Sequence, residues 1–353
     1  LCDKDDSAVV TSSKDEARLM KIAVFDTHAF DRQALQQANQ DYNHDMVFLE
    51  PKLGPSTARL ADGFPAVCSF VNDRVDSETL RVLKAHGTSL VLLRSAGFNH
   101  VDLEIARKLG MTVLRVPEYS PNAVAEHAVA MILTMNRKIH KSYNRVRELN
   151  FSLDGLVGFD LYGKTIGIVG TGRIGATLAR IMNGFGCKIL AFDLSQNAEL
   201  TTKFGLQYVN LDDLLSKSDI ISLHVPLTQQ TRHLLDKKAF SKMKKGVMLV
   251  NTSRGGLIET PALIAALKTG AIGFAGLDVY EEEEGVFFQD LSESGLDDDV
   301  LARLLTFPNV LITSHQAFLT HEALANIAAT TLGNASAFEA GRPLLNEVMW
   351  KPK

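Results

Sequence analysis

The sequence predicts an α/β protein of two doubly wound domains. Its 353 residues exceed the ~150 that one domain usually holds. From Met20 onward, short β-branched runs alternate with helical patterns, the signature of parallel sheets flanked by helices. Midway along the chain, a G-x-G-x-x-G fingerprint stands between one such run and a helix.

Composition excludes several classes. A formal net charge of -4 leaves no basic field to attract phosphate backbones, so nucleic acid is not an expected partner. The longest apolar stretches, such as AVAMILTM, fall short of the ~20 residues of a membrane span, so no membrane is expected either. Cys2, Cys68 and Cys187 are far apart, an odd set that suits a reducing compartment rather than a disulfide framework. Residues 1–19 are polar, lack an apolar h-region and begin at Leu, and read as an N-terminal extension rather than a secretory signal. A cytoplasmic protein, or a processed plastid or mitochondrial one, fits that extension.

Taken in order, the first strand candidates are KIAVFD, AVCSFV, SLVLLR and TVLRV, enough for a flavodoxin-like unit. A helix is expected from near Asn122 through AVAEHAVAMILTMNRKIHKSYNRV. It is apolar almost all round in its first half, which predicts burial there. A second strand series follows: TIGIVG, KILAFD, QYVN, DIISLHV, VMLVN, GFAGLD and VLITS. The closing helix, HEALANIAATTLGNASAFEAG, has no strand of its own to cover and is expected to return to the first domain. The predicted organisation is a Rossmann dinucleotide-binding domain over residues 120–317. It is inserted into a discontinuous flavodoxin-like substrate domain formed by residues 20–119 and 318–353.

The fingerprint itself has a physical reading. Gly170 permits the tight turn, Gly172 lets backbone approach a pyrophosphate, and Gly175 lets helix and strand pack closely. KILAFD ends in Asp193, where a carboxylate would accept bonds from the adenosine ribose hydroxyls and repel a 2′-phosphate, favouring NAD over NADP.

In an open α/β sheet, ligands bind beyond the carboxyl ends of the strands. In the second half those ends carry Gly170, Asp193, Val225 with Pro226, Thr252 to Arg254, Asp278 and His315. Arg254 offers a cationic fork for a carboxylate, His315 a proton donor, and the run Glu281 to Glu284 a carboxylate to support it. Together they are the set a carbonyl reduction needs, since a carboxylate beside an imidazole favours its protonated form. Other features have blander readings. The acidic runs at Glu281–Glu284 and Asp297–Asp299 lack the ligand spacing of a cation loop, and no metal is expected. His127, His140 and His321 read as structural.

Seven blocks extend this reading: RSAGFNHVDL, RVPEYSPNAVAEHAV, GIVGTGRIG, LHVPLT, VNTSRGGLI, GLDVYEEE and TSHQAFLT. In that order they resemble the NAD-dependent D-2-hydroxyacid dehydrogenases, the fermentative D-lactate dehydrogenases above all. The resemblance implies reversible NADH-dependent reduction of pyruvate, or a similar small 2-oxo acid, to the D-2-hydroxy acid. It assigns a substrate-carboxylate role to Arg254, proton donation to His315, and, by the family's spacing, the supporting carboxylate to Glu283. It further implies Ser95, Ala96 and Gly97 at the substrate carboxylate, with Tyr119 and Phe318 bordering the substrate side chain. For NAD it implies Arg173 and Ile174 at the pyrophosphate, Val225 and Pro226 along the adenine side, Thr252 and Ser253 behind the ring, and Asp278 near the nicotinamide amide. A homo-oligomer, a dimer joined by the long helix or a dimer of dimers, is also implied. Two alternatives share the fold: a dehydrogenase for a bulkier 2-oxo acid, and an NAD-sensing co-repressor-like scaffold.

Overall fold

The computed structural model describes residues 19–350. Most of the N-terminal extension, with Cys2, lies outside the described residues. Two compact units divide the chain. One comprises the described residues up to Pro117 together with those from Ala325 onward, and the other runs from Glu118 to Leu324.

The first unit contains β1 (Lys21–Val24), α1 (Ala29–Ala38), β2 (Asp45–Phe48), β3 (Ala66–Ser69), α2 (Ser77–Ala85), β4 (Leu90–Leu93), α3 (Leu103–Lys108) and β5 (Thr112–Arg115). The sheet is parallel, in the order β2-β1-β3-β4-β5, the flavodoxin-like arrangement. β3 and β4, AVCS and LVLL, are buried at every position, as strands covered on both faces must be. Aspartates start α2 and α3: Asp76 accepts from the Glu78 and Thr79 amides, and Asp102 from that of Ile105. The edge strand β2, DMVF, was not expected. Its positions are alternately exposed and half-buried, so it lacks the continuous apolar run of its neighbours.

The second unit opens with α4 (Pro121–Arg137) and α5 (Ile139–Arg147) and continues through β6 (Thr165–Val169), α6 (Arg173–Gly184), β7 (Lys188–Phe192), α7 (Ala198–Phe204) and β8 (Gln207–Tyr208). Then come α8 (Leu211–Lys217), β9 (Ile220–Leu223), α9 (Lys237–Lys242), β10 (Val247–Asn251), α10 (Thr260–Lys268), β11 (Ile272–Leu277), α11 (Asp299–Leu305) and β12 (Val310–Ile312). α12 (His321–Glu339) closes the chain's helices. The seven parallel strands run β12-β11-β10-β9-β6-β7-β8. Counted from β6, this is the dinucleotide-binding order 3-2-1-4-5-6 with one strand added. From Ala328 through Leu332 to Ala335, α12 packs on Ile22, Val24, Leu90, Leu92 and Leu114 of the first unit's sheet.

The long helix departs from expectation because it is two helices. α4 ends at Lys138, whose φ of 51° is left-handed, and α5 restarts at once. The cause is a returning segment. The Asn136 side chain accepts from the Phe159 amide at 2.8 Å and donates to its carbonyl at 2.7 Å, while Lys138 Nζ donates to the Val157 carbonyl. These bonds tie residues 157–159 to the end of α4. α4 is heavily buried, with Met131 and Met135 over Gly276 of β11, whereas no residue of α5 is buried.

Candidate active site

Every expected cofactor residue of the second unit stands at or just beyond a strand's carboxyl end. After β6, Gly170 takes a φ of 96°, a conformation suited to glycine. A Cβ on Gly175 would lie 1.9 Å from the Gly170 carbonyl, so only glycine lets α6 begin so close to the strand. A Cβ on Gly172 would meet nothing within 4 Å, which leaves its backbone open to a ligand. Arg173 and Ile174 then open α6, whose free amides favour an anion, and Arg173 pairs with Glu118.

After β7, Asp193 accepts the Thr171 amide at 2.6 Å, the Thr171 hydroxyl at 3.1 Å and the Ser195 amide at 2.9 Å. Partial burial alone would raise its pKa, but the donors of Ser195 and Thr171 outweigh that and hold the carboxyl below its ordinary value. Val225 and Pro226 follow β9, and the Val225 carbonyl accepts the Ser253 hydroxyl at 2.7 Å. Thr252 is buried, with Oγ1 lacking a hydrogen-bond partner among the described residues. An open glycine turn, a helix N-terminus, an ionised Asp193 and an orphaned buried hydroxyl together fit a dinucleotide such as NAD.

Arg254 lies in an extended conformation beyond β10, with its carbonyl accepting the Asn251 side-chain amide at 2.9 Å. Its guanidinium donates to the Ser253 carbonyl at 2.6 Å, and it forms no ion pair among the described residues. The turn behind it is packed backbone to backbone. A Cβ on Gly255 would lie 2.0 Å from the Tyr280 carbonyl carbon and oxygen and 2.4 Å from the Glu281 nitrogen.

That packing brings the glutamate run beside the arginine turn, and the four glutamates divide by exposure. Glu282 and Glu284 are exposed, while Glu281 and Glu283 are half-buried. Glu281 is a brace. Its Oε1 lies 2.6 Å from His233 Nε2 and 3.2 Å from an Arg232 nitrogen, and its Oε2 accepts the Thr260 hydroxyl at 3.2 Å. Burial opposes its ionisation, but His233 and Thr260 together hold its carboxyl below the usual range. Glu283 Oε1 instead lies 2.9 Å from His315 Nδ1, and its Oε2 accepts the Tyr280 amide at 3.3 Å. A carboxylate only accepts, so Nδ1 carries a proton and Nε2 is the nitrogen left for a reacting group.

His315 is held in a left-handed conformation, φ 49°, with its amide donating to the Asp278 carbonyl at 2.7 Å. The fully buried Asp278 carboxylate accepts the Thr313 hydroxyl and the Gln316 and Ala317 amides, at 2.6 to 2.9 Å. His127 reaches Thr313 Oγ1 at 3.1 Å. Both Asp278 oxygens are therefore engaged in bracing the loop that presents His315, a part the sequence did not suggest. Tyr119 meets Phe318 edge to face, with centroids 6.3 Å apart. Burial raises the Tyr119 pKa, and the charges of Arg254 and Asp278 both reach it. Arg254, Tyr119, Phe318, Glu283 and His315 thus lie in one unit. Ser95, Ala96 and Gly97 belong to the other, where the Ser95 hydroxyl tightens their loop by donating to the Gly97 carbonyl at 2.7 Å.

Among the described residues, no group of three or more His, Cys, Asp or Glu is arranged to hold a metal ion, and no helix is long and apolar enough to cross a membrane.

Comparison with known proteins agrees with this geometry. Residues 129–317 match the family described as D-isomer specific 2-hydroxyacid dehydrogenase, NAD binding domain. The chain is 51% identical to the D-lactate dehydrogenase of Escherichia coli K12 over 330 residues, covering 94% of this chain and 100% of that protein. The apo-structure of the Escherichia coli enzyme superposes with a TM-score of 0.86 at 49% identity, covering 94% and 100% of the two chains. A structure of the pyruvate reductase of Chlamydomonas reinhardtii gives a TM-score of 0.88 at 45% identity, covering 94% and 99%.

Proposed function

The chain belongs to the NAD-binding D-isomer specific 2-hydroxyacid dehydrogenases, and from that premise we propose that it is a D-lactate dehydrogenase. In this reading it reduces pyruvate, or a similarly small 2-oxo acid, to the D-2-hydroxy acid. It is an NAD-dependent oxidoreductase, and bound NADH supplies the hydride.

The chain's own residues do the rest. Arg254, free of any protein carboxylate among the described residues, clamps the substrate carboxylate through its planar fork. His315 delivers a proton from Nε2 to the carbonyl oxygen, while Glu283 keeps the ring oriented through Nδ1. Asp278 and His127 hold the loop that carries the histidine. Tyr119 and Phe318 border the substrate's methyl end. The open glycine turn and the first amides of α6 would hold the pyrophosphate of NAD, Asp193 the adenosine ribose, and Thr252 and Ser253 the nicotinamide end.

The observation that carries this reading is the 2.9 Å Glu283–His315 pair, in the same unit as an arginine without an ion-pair partner among the described residues and a dinucleotide cradle. The direct experiment follows NADH absorbance when pyruvate and a panel of bulkier 2-oxo acids are added. Fastest turnover with pyruvate and a D-configured product is expected. Tight NADH binding without turnover of any 2-oxo acid would overturn the reading in favour of a scaffold.

A homodimer joined through the α5 arm is part of the proposal. Ile139, Tyr143 and Val146 line one side of that helix and are exposed, as are Leu149, Phe151 and Leu153 after it, an apolar stripe of the kind that marks an interface. Sedimentation equilibrium of the protein and of a Tyr143→Glu variant tests it.

A further inference from the structure

Asp193 is the group on which discrimination between the two nicotinamide dinucleotides is expected to turn, yet its fixed position depends on a tyrosine that lies outside the fingerprint. The Tyr208 hydroxyl, on the edge strand β8, lies 2.9 Å from both the Asn197 amide nitrogen and Thr171 Oγ1. The direction of this chain is set by chemistry. An amide N–H only donates, so Tyr208 accepts from Asn197 and has its own proton free for Thr171. Thr171 then turns its proton to Asp193 Oδ2, 3.1 Å away. The relay reads Asn197 N–H to Tyr208 O–H to Thr171 O–H to Asp193, every dipole pointing its positive end at the carboxylate. The Thr171 amide adds a second donor to the same oxygen at 2.6 Å.

We infer that Tyr208 is a positioning residue for the adenosine-ribose site, tying the glycine-rich turn to the loop after β7 and setting the preference for NADH over NADPH. This rests on reading Asp193 as the ribose carboxylate. Geometry supports the part given to Tyr208. Its hydroxyl joins Thr171, inside the G-T-G turn, to Asn197, the N-cap of α7, and Asp193 stands between those two segments. Removing the hydroxyl leaves the Asn197 amide without its acceptor and frees Thr171 to rotate away from Asp193. The ribose would then meet a less fixed carboxylate, and a 2′-phosphate a less rigid negative charge.

The test is equilibrium binding of NADH and of NADPH, read by nucleotide fluorescence, so that no turnover is needed. Asp193→Ala sets the scale by collapsing the preference. Tyr208→Phe should weaken NADH by about 5-fold, the usual effect of one neutral hydrogen bond, and narrow the NADH to NADPH ratio by a similar factor. Thr171→Val, which breaks the relay at its next link without touching the tyrosine, should do the same, and Thr171→Ser should restore the wild-type ratio. A structural role alone would change thermal stability and leave the ratio of two ligands that differ only at the 2′ position where it was. A collapsed ratio in Asp193→Ala beside unchanged ratios in Tyr208→Phe and Thr171→Val would overturn the relay. So would loss of the preference in Thr171→Ser. An unchanged ratio in Asp193→Ala would remove the ribose reading and the relay together.

Discussion

Adding one methyl group at Gly255 should separate substrate handling from cofactor binding. The Ala Cβ would lie 2.0 Å from the Tyr280 carbonyl carbon and oxygen, where ordinary contact begins at 3.4 Å, so about 1.4 Å of separation is required. Both sides of that contact are backbone, and neither can rotate out of the way. The turn carrying Arg254 must therefore move away from the segment carrying Glu283. A displacement near 1 Å at a reacting group costs about 10²-fold in rate, while overpacking of this kind typically costs about 1–3 kcal/mol of stability. Steady-state kinetics with pyruvate and NADH, beside thermal denaturation, should show kcat/KM for pyruvate reduced by about 10²-fold. Binding of NADH, whose pyrophosphate and ribose cradle lies after β6 and β7 and which meets this turn only at Thr252 and Ser253, should change by less, about 3-fold. A Gly255→Ala enzyme with normal kcat/KM for pyruvate would refute the coupling of the arginine turn to the glutamate segment. Equal losses for both ligands would show a general collapse instead.

Three further outcomes are expected. His315→Ala should lower turnover by at least the ~10²-fold typical of lost acid catalysis, with NADH affinity retained, as single-turnover and binding measurements would show. Glu283→Gln removes the carboxylate that accepts from His315 Nδ1, so turnover of pyruvate should fall by about 10²-fold with NADH affinity retained. Unchanged turnover would assign the support of His315 elsewhere. His224, next to the glycine turn and 2.8 Å from the Ser222 hydroxyl, has its pKa pushed down by burial to about 4. A histidine kept neutral by the fold contributes stability in full above its unfolded value near 6.5, and loses it as pH falls from there through about 4. The loss amounts to at most about 3 kcal/mol, less where water reaches the ring. Chemical denaturation across that window should give a steeper pH slope for the wild type than for His224→Gln, and equal slopes would exclude this origin.

What was legible in the sequence was what local chemistry encodes. The strands β3 to β7 and β9 to β11 announce themselves as apolar runs, and the glycines of the fingerprint state a backbone requirement at their own positions. What escaped depends on partners distant along the chain. Nothing in KIHKSYNRV says that α4 must end at Arg137, because the break is made by Asn136 holding Phe159. The β2 strand escaped because its edge position leaves half its residues in water. Composition could not divide Glu281 from Glu283 either, and family spacing had to choose. In the structure, the division comes from which glutamate meets His233 and which meets His315. Asp278 was readable as a polar residue at a strand end, but its burial beneath the His315 loop was not.

The acidic run after β11 behaves as two registers threaded through one stretch of chain. Exposed Glu282 and Glu284 alternate with engaged Glu281 and Glu283, so the run is used at its first and third letters only. Substitution of either exposed member should be tolerated, and those positions are natural places for a label or a solubilising change. Because the four letters are identical, deleting any one of them gives the same shortened run, which counted from Tyr280 still places a glutamate at both engaged positions. What bears on catalysis is an exchange at the third of these letters, and what bears on the brace is one at the first, while an exchange at the second or fourth touches neither.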